Sequence, residues 1–423
     1  MVLGFCPPWT GLSSGSKSSC GKSICSEVAG VAASICLGVG LATLPVDVHH
    51  ASASVLSEDT LFRRYIVTNG EALLRYSLPL GPAEDKLEIR KLQRILEDID
   101  IDLRSKGPIA LRSAKKDIEN IQAALAPGKQ LNLALDVPRA KREKAFEEIQ
   151  GIASDVDLMS KAFDAEVKRK NSSKGSFRRV SVDIPRESAL AHVANIETMM
   201  APSQLPYRIP SRYKELPRLV GRASVDLEVR KGNDSSFMTK DGKKEESIVL
   251  TAIVDGYSAP LSAGNFVDLV SRGHYDGEVI VNRMRGLFVL TGGEGGFIEN
   301  GKRREIPLEL KLDGDPSPLW GETLDQAGLS EVPLSIPPSA YGAIAFVHSE
   351  GNPNDGSSQF CFYIKDPRSM EARSRYGGIE NGNVSTFGYV VGNEQYLSQL
   401  EKGDVIVKAR VGSGLENLRR SES

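Results

Sequence analysis

The chain has 423 residues, of which 40% are hydrophobic and 26% are charged, and its formal net charge at pH 7 is −2. This length is sufficient for two domains with separate hydrophobic cores, and the near-neutral charge gives no reason to expect a nucleic-acid partner or a general attraction to anionic lipid. Four of the five cysteines lie in the first 36 residues and leave Cys361 alone, while the histidines beyond residue 50 stand far apart. We therefore predict no disulfide, no metal site and no cofactor in the rest of the chain.

Residues 1–53 are predicted to be a bipartite transit and signal peptide. A segment rich in Ser and Gly at 11–26 is followed by an apolar run at 28–46 and by the small-residue site ASAS at 51–54. This order is typical of an organelle transit segment joined to an export signal, which is removed on import. The apolar run is also close to the length of a membrane span, so an uncleaved anchor is the alternative. With the signal removed, we expect a soluble mature chain.

Residues 54–200 have the periodicity of amphipathic helices and are predicted to form an all-α helical bundle. Apolar residues recur at steps of three and four along stripes at 92–103, 111–125 and 145–163, with charged residues between them. Gly and Pro residues, among them Pro185, separate the stripes. The same spacing is compatible with a dimer formed through the 145–163 stripe, but the stripes are too short for a long rod, so we favour a bundle.

One stretch of the helical half is strongly basic. Residues 168–181, KRKNSSKGSFRRVS, are predicted to form a loop between two helices. The loop is either a docking segment for an acidic partner or a solvated surface loop, and we favour the solvated loop.

The second half of the chain has a different period. Residues 201–221 carry four prolines from Pro202 to Pro217 and are predicted to be a semi-rigid linker. From 222 to 413, apolar residues alternate with polar ones in short segments, namely 223–229, 247–254, 287–291, 343–347, 359–364 and 385–391. Two further segments, 263–271 and 394–400, have a helical pattern. Together they predict a closed β-barrel capped by two helices, followed by a tail at 414–423.

Three stretches of this half resemble the cyclophilin family. IVLTAIVDGYSAPLSAGNFVDLVSRGHYDG (248–277) is similar to the first strand pair and helix of a cyclophilin, and GSSQFCF (356–362) to its GSQFF motif. TFGYVVGNEQYLSQLEKGDVI (386–406) is similar to the last strand, helix and strand. The resemblance covers 222–413 and implies a cyclophilin-like closed barrel. With the helical half, the linker and the import signal, the chain resembles the multidomain cyclophilins of the thylakoid lumen, which implies that location.

The resemblance also implies a peptidyl-prolyl cis-trans isomerase. Rotation about an X-Pro amide has a barrier of about 18–20 kcal/mol and requires no covalent step. Cyclophilins hold the proline ring in an apolar pocket, anchor the peptide with a Gln and backbone groups, and donate a hydrogen bond from an Arg to the prolyl nitrogen. In the stretch VNRMRGLFVLTGG (281–293) the catalytic Arg corresponds to Arg283, with Arg285 as the alternative register.

The rest of the implied site departs from the family pattern. Its substrate-binding candidates are Leu287, Phe288, Leu290, Val347, Gln359, Cys361 and Val384. Gln359 is retained, whereas Leu287 and Cys361 stand where the family has pocket phenylalanines. Leu290, Val384 and Val347 replace the binding Gln, the pocket His and the Ala of the floor.

We therefore hypothesise a lumenal cyclophilin with a degenerate active site that acts mainly as a binding module or assembly chaperone. Its expected ligands are Pro-containing segments of membrane complexes that face the lumen, with photosystem II as the implied client. We also expect the linker to dock in the groove of its own chain, and the alternative is a spacer that touches nothing. The alternative is a true prolyl isomerase of low turnover.

Overall fold

The structure is a computed structural model that describes residues 69–81, 83–105, 107–173, 176–233, 235–293, 295–330, 332–349, 351–365 and 383–420. The predicted import signal lies outside these ranges. The described residues belong to one compact unit, Ala51–Ser423. None of the helices in these ranges is long and apolar enough to cross a membrane.

Six described helices follow the apolar stripes of the first half. They are α1 (Gly70–Tyr76), α2 (Glu88–Ser105), α3 (Pro108–Ala124), α4 (Gln130–Leu135), α5 (Arg142–Ser173) and α6 (Val180–Met200). Because α2 and α3 are joined by a short turn, as are α5 and α6, the members of each pair run in opposite directions and pack together. Their apolar faces meet in a single core. The predicted helical region is confirmed.

The 145–163 stripe is buried inside this core. Its six apolar residues, from Ala145 to Phe163, are each at most 2% exposed. They pack against apolar residues of the other helices. The stripe is therefore not available as the seam of a dimeric coiled coil.

Two predicted boundaries in this half are wrong. Helix α6 runs through Pro185, which we expected to separate helices. Proline at this position, in the second turn, removes one backbone hydrogen bond, and the buried residues on both sides of it keep the helix packed. Helix α5 continues to Ser173, so the first part of the predicted loop at 168–181 is helical.

The second half contains short strands arranged mainly in one curled sheet. The strands are β1 (Arg218–Leu219), β2 (Arg222–Arg230), β3 (Phe237–Met238), β4 (Lys244–Glu245), β5 (Ser247–Asp255), β6 (Glu278–Val279), β7 (Asn282–Met284), β8 (Phe288–Thr291), β9 (Ile298–Glu299), β10 (Lys302–Arg303), β11 (Glu309–Leu310), β12 (Leu319–Trp320), β13 (Ala343–Phe346), β14 (Phe360–Tyr363), β15 (Ser385–Gly392), β16 (Val405–Ser413) and β17 (Leu418–Arg419). Nine of them form the sheet in the order β6-β16-β2-β5-β15-β13-β14-β8-β7.

The prediction of a closed barrel is not confirmed. The edge strands β6 and β7 are not paired with each other, because they are successive parts of the same segment of chain. Strand β6 pairs with β16, and β7 pairs with β8. The sheet therefore curls round a core without a continuous ring of strand pairs.

Of the two predicted capping helices, one is an α-helix and one is a shorter 3-10 helix. Helix α7 (Pro260–Ser271) packs on the core with 11 buried residues. The second segment forms a 3-10 helix at Glu394–Gln399, with Tyr396 and Leu397 buried. The remaining described α-helix is the single turn α8 (Leu324–Ala327), and further 3-10 helices lie at Glu84–Lys86, Arg139–Lys141, Ser211–Tyr213 and Leu415–Asn417.

Helix α1 lies within the first half of the sequence but packs in the core of the sheet. Leu73 and Leu74 are each 4% exposed and contact that core. A Cβ atom at Gly70 would lie 2.6 Å from Cβ of Tyr389, so this close approach requires glycine. Beyond the helix, the Ser77 hydroxyl donates to Asp255 at 2.7 Å.

The linker also contacts the second half. The hydroxyl of Tyr207 donates to the carbonyl oxygen of Tyr257 at 2.6 Å, and the Tyr257 hydroxyl donates to the carbonyl oxygen of Pro202 at 2.7 Å. The ring of Tyr207 also meets Trp320 edge to face, with centroids 6.1 Å apart. These contacts fix the linker beside the start of α7 and β12.

Candidate functional site

Side chains of the first cyclophilin-like stretch, 248–277, hold the GSSQFCF stretch in place. Asn265 on α7 donates to the carbonyl oxygen of Ser357 at 2.6 Å, and the hydroxyl of Tyr275 donates to the carbonyl oxygen of Ser358 at 3.0 Å. Both donors are buried, so these hydrogen bonds satisfy backbone groups away from water. The turn that precedes β14 is therefore fixed, and it determines the position of Gln359, the residue directly before the strand.

Strands β8, β14 and β13 are neighbours and present two different faces. Register pairs Phe360 with Thr291 and Phe362 with Val289, and these four side chains are at most 1% exposed in the core. Because side chains alternate along a strand, the residues between them lie on the opposite face. We call that face the groove face, and it carries Phe288, Leu290, Ala345, Val347, Gln359 and Cys361.

Most of the predicted substrate-binding residues thus come together on the groove face. Cys361 stands opposite Leu290 on one side and Ala345 on the other, and its thiol lies 3.6 Å from the carbonyl oxygen of Ala345. Phe288, Leu290 and Val347 are half-buried. Val384, which is also half-buried, precedes β15 and packs against the core of the sheet.

Two other predicted substrate-binding residues, Leu287 and Gln359, make backbone hydrogen bonds but no side-chain hydrogen bond among the described residues. Leu287 lies in the β7–β8 turn, and its carbonyl oxygen accepts from the amide of Ile364 at 2.9 Å. The side chain of Gln359 is half-buried, and within the described ranges it makes no hydrogen bond, although the Gln359 carbonyl oxygen accepts from Val347 at 3.1 Å. Its amide is therefore available to a ligand.

The structure does not place Arg283 on the groove face. Arg283 pairs with Val289, so its side chain leaves the sheet on the side of the core. Its guanidinium forms an ion pair with Glu401 and donates to the carbonyl oxygen of Ser398 at 2.8 Å. Arg285, the alternative, is exposed in the turn between β7 and β8.

His348 lies beside the groove face and is more buried than a surface histidine would be. Its side chain is 3% exposed, and Nε2 lies 3.2 Å from the hydroxyl of Ser385. Burial lowers the pKa of His348 to about 4, and Arg303 acts in the same direction against the raising effect of Asp355. His348 is therefore neutral near pH 7, and its role is in packing. The sequence signal for this burial is its place two residues after the end of the β13 strand.

A buried carboxyl group that the sequence analysis did not identify lies where the linker docks. Glu309 accepts from the backbone amides of Leu261 and Ser262 at the start of α7, and from the indole nitrogen of Trp320 at 2.8 Å. Burial raises the pKa of Glu309 to about 7, although these hydrogen bonds lower it. A Glu within the apolar stretch IPLEL was the signal that could have revealed it.

Comparisons with known proteins agree with both halves of the fold. Residues 69–201 match the family described as "Peptidyl-prolyl cis-trans isomerase CYP38-like, PsbQ-like domain". Residues 243–414 match "Cyclophilin type peptidyl-prolyl cis-trans isomerase/CLD". Among solved structures, a cyclophilin-type isomerase of Cryptosporidium parvum is 15% identical with a TM-score of 0.30, over 45% of this chain and 98% of that one.

Three relatives match most of the chain. The "Peptidyl-prolyl cis-trans isomerase CYP38, chloroplastic" of Arabidopsis thaliana is 34% identical, over 92% of this chain and 85% of the relative. A putative thylakoid lumen peptidyl-prolyl cis-trans isomerase of Synechocystis is 36% identical, over 84% and 86%. The chloroplastic CYP37 of Arabidopsis thaliana is 31% identical, over 87% and 73%.

These relatives confirm the predicted location in the thylakoid lumen and the prediction that the chain is a two-domain cyclophilin. The buried stripes of α2, α3, α5 and α6 lie within the residues that match the PsbQ-like helical domain. The GSSQFCF turn and eight of the nine strands of the curled sheet lie within the residues that match a cyclophilin. The chain belongs to the CYP38-like cyclophilins, which join a PsbQ-like helical domain to a cyclophilin-type peptidyl-prolyl isomerase domain.

Proposed function

We propose that the groove face binds extended Pro-containing segments of proteins in the thylakoid lumen, and that binding rather than rapid isomerisation is its main activity. The observation that carries this proposal is the separation of Arg283 from the groove face. Arg283 pairs with Val289 on the core side of the sheet, whereas Gln359 and Leu290 lie on the other side.

Isomerisation is favoured by a hydrogen-bond donor at the prolyl nitrogen, because that bond weakens the resonance of the amide. The Arg283 guanidinium is already engaged by Glu401 and by the Ser398 carbonyl oxygen. To reach a peptide on the groove face it would have to give up a charge-assisted hydrogen bond and an ion pair. The described groove face therefore supports capture of a peptide more than catalysis on it.

The groove face has the composition that capture requires. Phe288, Leu290 and Val347 provide half-buried apolar surface for a proline ring, and Gln359 provides one side-chain amide that has no hydrogen-bond partner among the described residues. A few polar groups on a mainly apolar surface are typical of ligand sites, where the apolar part supplies affinity and the polar part fixes orientation.

We further propose that the ligands are lumen-facing segments of photosynthetic membrane complexes, photosystem II among them. The proposal is supported by the lumenal relatives and by the PsbQ-like description of the helical domain. Occupation of the groove by the protein's own linker stays a prediction, and the described contacts of the linker go to Tyr257 and Trp320 instead.

The test measures peptide binding and isomerisation on the mature chain and on three variants. We expect Gln359→Ala to weaken binding of a Pro-containing peptide and Arg283→Ala to leave binding unchanged. Arg410→Ala, at an exposed position of β16, is the matched control. A turnover typical of active cyclophilins that is abolished in Arg283→Ala would instead establish a true isomerase.

A further inference from the structure

Strand β7 forms the edge of the curled sheet next to the groove face. It pairs with β8 on one side, and among the described residues no strand pairs with its other side. Its three residues alternate in exposure, since Asn282 and Met284 are exposed and Arg283 is half-buried. Because side chains alternate along a strand, Asn282 and Met284 lie on the face opposite to the one on which Glu401 engages Arg283.

The register of the β7–β8 hairpin places these two side chains beside the groove face. Asn282 stands opposite Leu290, and Met284 stands opposite Phe288. Residues that stand directly opposite each other in an antiparallel pair lie on the same face of the sheet. The register that turns Arg283 away therefore extends the groove face by one strand. We call Asn282 and Met284 the β7 rim.

The fold does not use the side-chain amide of Asn282. Within the described ranges this amide makes no hydrogen bond. Asn is also depleted in β-strands, so formation of β7 does not explain its presence. Gln359 is in the same condition, because its side-chain amide has no partner among the described residues. Two amides, each able to donate and to accept, thus lie on either side of Leu290.

Met284 enlarges the apolar surface of the groove face. It is 40% exposed and is not among the residues that pack against the core of the sheet. It lies beside the half-buried Phe288, which shares its face with Leu290. A methionine side chain is unbranched and flexible, so it adapts to apolar groups of different shapes. The resulting patch has room for a second apolar side chain beside a proline ring.

The separation of the two amides determines the length of ligand that reaches both. Asn282 is opposite Leu290, Leu290 is opposite Cys361, and Gln359 is two residues before Cys361. Two strand spacings of about 4.8 Å and an offset of about 6.7 Å along the strands place the two residues about 12 Å apart. An extended chain covers this distance in about three to four residues.

We propose that the β7 rim is a second anchoring point of the groove face, at which Asn282 hydrogen-bonds the backbone of a bound segment and Met284 contacts one of its apolar side chains. The inference rests on the proposed function and specifies its ligand further. The ligand is an extended segment in which the part held by Gln359 and an apolar residue lie about three to four positions apart. A single X-Pro unit is too short to reach both amides.

The test measures the affinity of three peptides for the mature chain by NMR titration. The first peptide has nine residues, with a central proline, a leucine on each side of it, and alanine or glycine elsewhere. Each of the other two keeps all residues on one side of the proline and a single residue on the other. Because the β7 rim lies to one side of Gln359, only one of these truncated peptides should reach it.

Variants of the β7 rim should weaken binding according to the length of the peptide. Asn282→Ala should weaken binding of the nine-residue peptide by about threefold to tenfold, which corresponds to one hydrogen bond. The same loss should appear with one truncated peptide and be absent with the other. Met284→Ser should follow the same pattern, with a loss of about threefold or more. The matched controls, Asn132→Ala on α4 and Met238→Ser on β3, change exposed residues outside the groove face and should bind as the unmodified chain does.

Three results would overturn the inference. Weaker binding by Gln359→Ala, with no loss in Asn282→Ala and Met284→Ser, would leave the proposed function in place and remove the β7 rim from it. Equal loss with all three peptides in Asn282→Ala would mean that the variant changes the shape of the groove instead of a contact with the ligand. Failure of the unmodified chain to bind the nine-residue peptide would refute the proposed function and this inference with it. Circular dichroism of each variant verifies that the fold is intact.

Discussion

Replacement of one buried carboxyl group should change how the stability of this protein depends on pH. Glu197 on α6 has no exposed side-chain surface and lies 3.1 Å from Arg90 on α2. Burial raises its pKa from 4.5 to about 7, although Arg90 and Arg75 lower it. Arg90 keeps other partners when Glu197 is protonated, since it also donates to Gln93 and to the carbonyl oxygen of Arg75.

The sign of the effect follows from the direction of the shift. The folded chain holds the Glu197 proton more tightly than the unfolded chain, so its contribution is most favourable below pH 4.5 and is lost as the pH rises through about 7. Between the unfolded pKa of 4.5 and the folded pKa of about 7, such a group lowers the free energy of unfolding by about 1.4 kcal/mol per pH unit. The total over this pH range is about 3 kcal/mol. Glu309 has the same sign, because its pKa is also about 7.

His348 acts in the opposite sense. Its folded pKa of about 4 lies below the ordinary value of 6.5, so its contribution is present above pH 6.5 and is lost as the pH falls. Between pH 4.5 and 6.5 the two glutamates and the histidine leave a net slope of about one proton. The contribution of these three groups to the free energy of unfolding should therefore fall by about 1.4 kcal/mol per pH unit as the pH rises across this range.

Glu197→Gln should make the slope of the free energy of unfolding against pH less negative by about 1.4 kcal/mol per pH unit, because it removes one of these groups. The assay is urea unfolding of the mature chain at several pH values, followed by circular dichroism, with the exposed Glu143→Gln as the matched control. The readout is the slope of the free energy of unfolding against pH and not the absolute stability, because loss of the Arg90 contact can lower stability equally at every pH. A slope unchanged from that of the unmodified chain would refute the reasoning, because it would mean that Glu197 is ionised in the folded protein throughout this range.

Three further predictions concern the groove, the signal and the linker. Catalysis of X-Pro isomerisation by the mature chain should be weak, and Arg283→Ala should change the residual rate by less than about tenfold, or about 1.4 kcal/mol, in a protease-coupled assay; a larger loss would show that Arg283 acts on the substrate. N-terminal sequencing of the accumulated protein should place the processing site near Ala53, and a membrane-bound form that retains residues 28–46 would contradict this. Tyr207→Ala should speed hydrogen exchange at 201–217 without changing peptide affinity, since the linker docks at Trp320; increased affinity would mean that the linker competes for the groove.

The sequence was sufficient for the parts of the fold that depend on local pattern. Alternation predicted strands such as 223–229, in which buried and half-buried residues alternate, and apolar stripes predicted helices whose faces are buried as expected. Pro185 misled the prediction because tertiary packing outweighs the loss of a single helical hydrogen bond.

The orientation of Arg283 depends on a register that the sequence does not determine. The β7–β8 hairpin pairs Met284 with Phe288 across a three-residue turn, in which Gly286 has φ of 72°. A shift of one residue would move Arg283 to the groove face, because successive side chains point to opposite faces. Sequence resemblance predicted that an Arg stands at position 283. The conformation of the turn determines the face of the sheet on which its side chain lies. The burial of His348 likewise depends on contacts distant in sequence.

The position of α1 has a consequence for how the chain folds while it enters the lumen from its N-terminus. The bundle formed by α2 to α6 needs only residues that arrive early. Leu73 and Leu74 of α1, in contrast, pack against strands as late as β15, and β1 pairs with β17 at the end of the chain. The first described helix is therefore among the last to find its partners, and its apolar face stays exposed until translocation is nearly complete. An incompletely imported chain would keep a folded bundle together with the exposed apolar face of α1. We expect chaperones and proteases that bind exposed apolar segments to recognise such a chain.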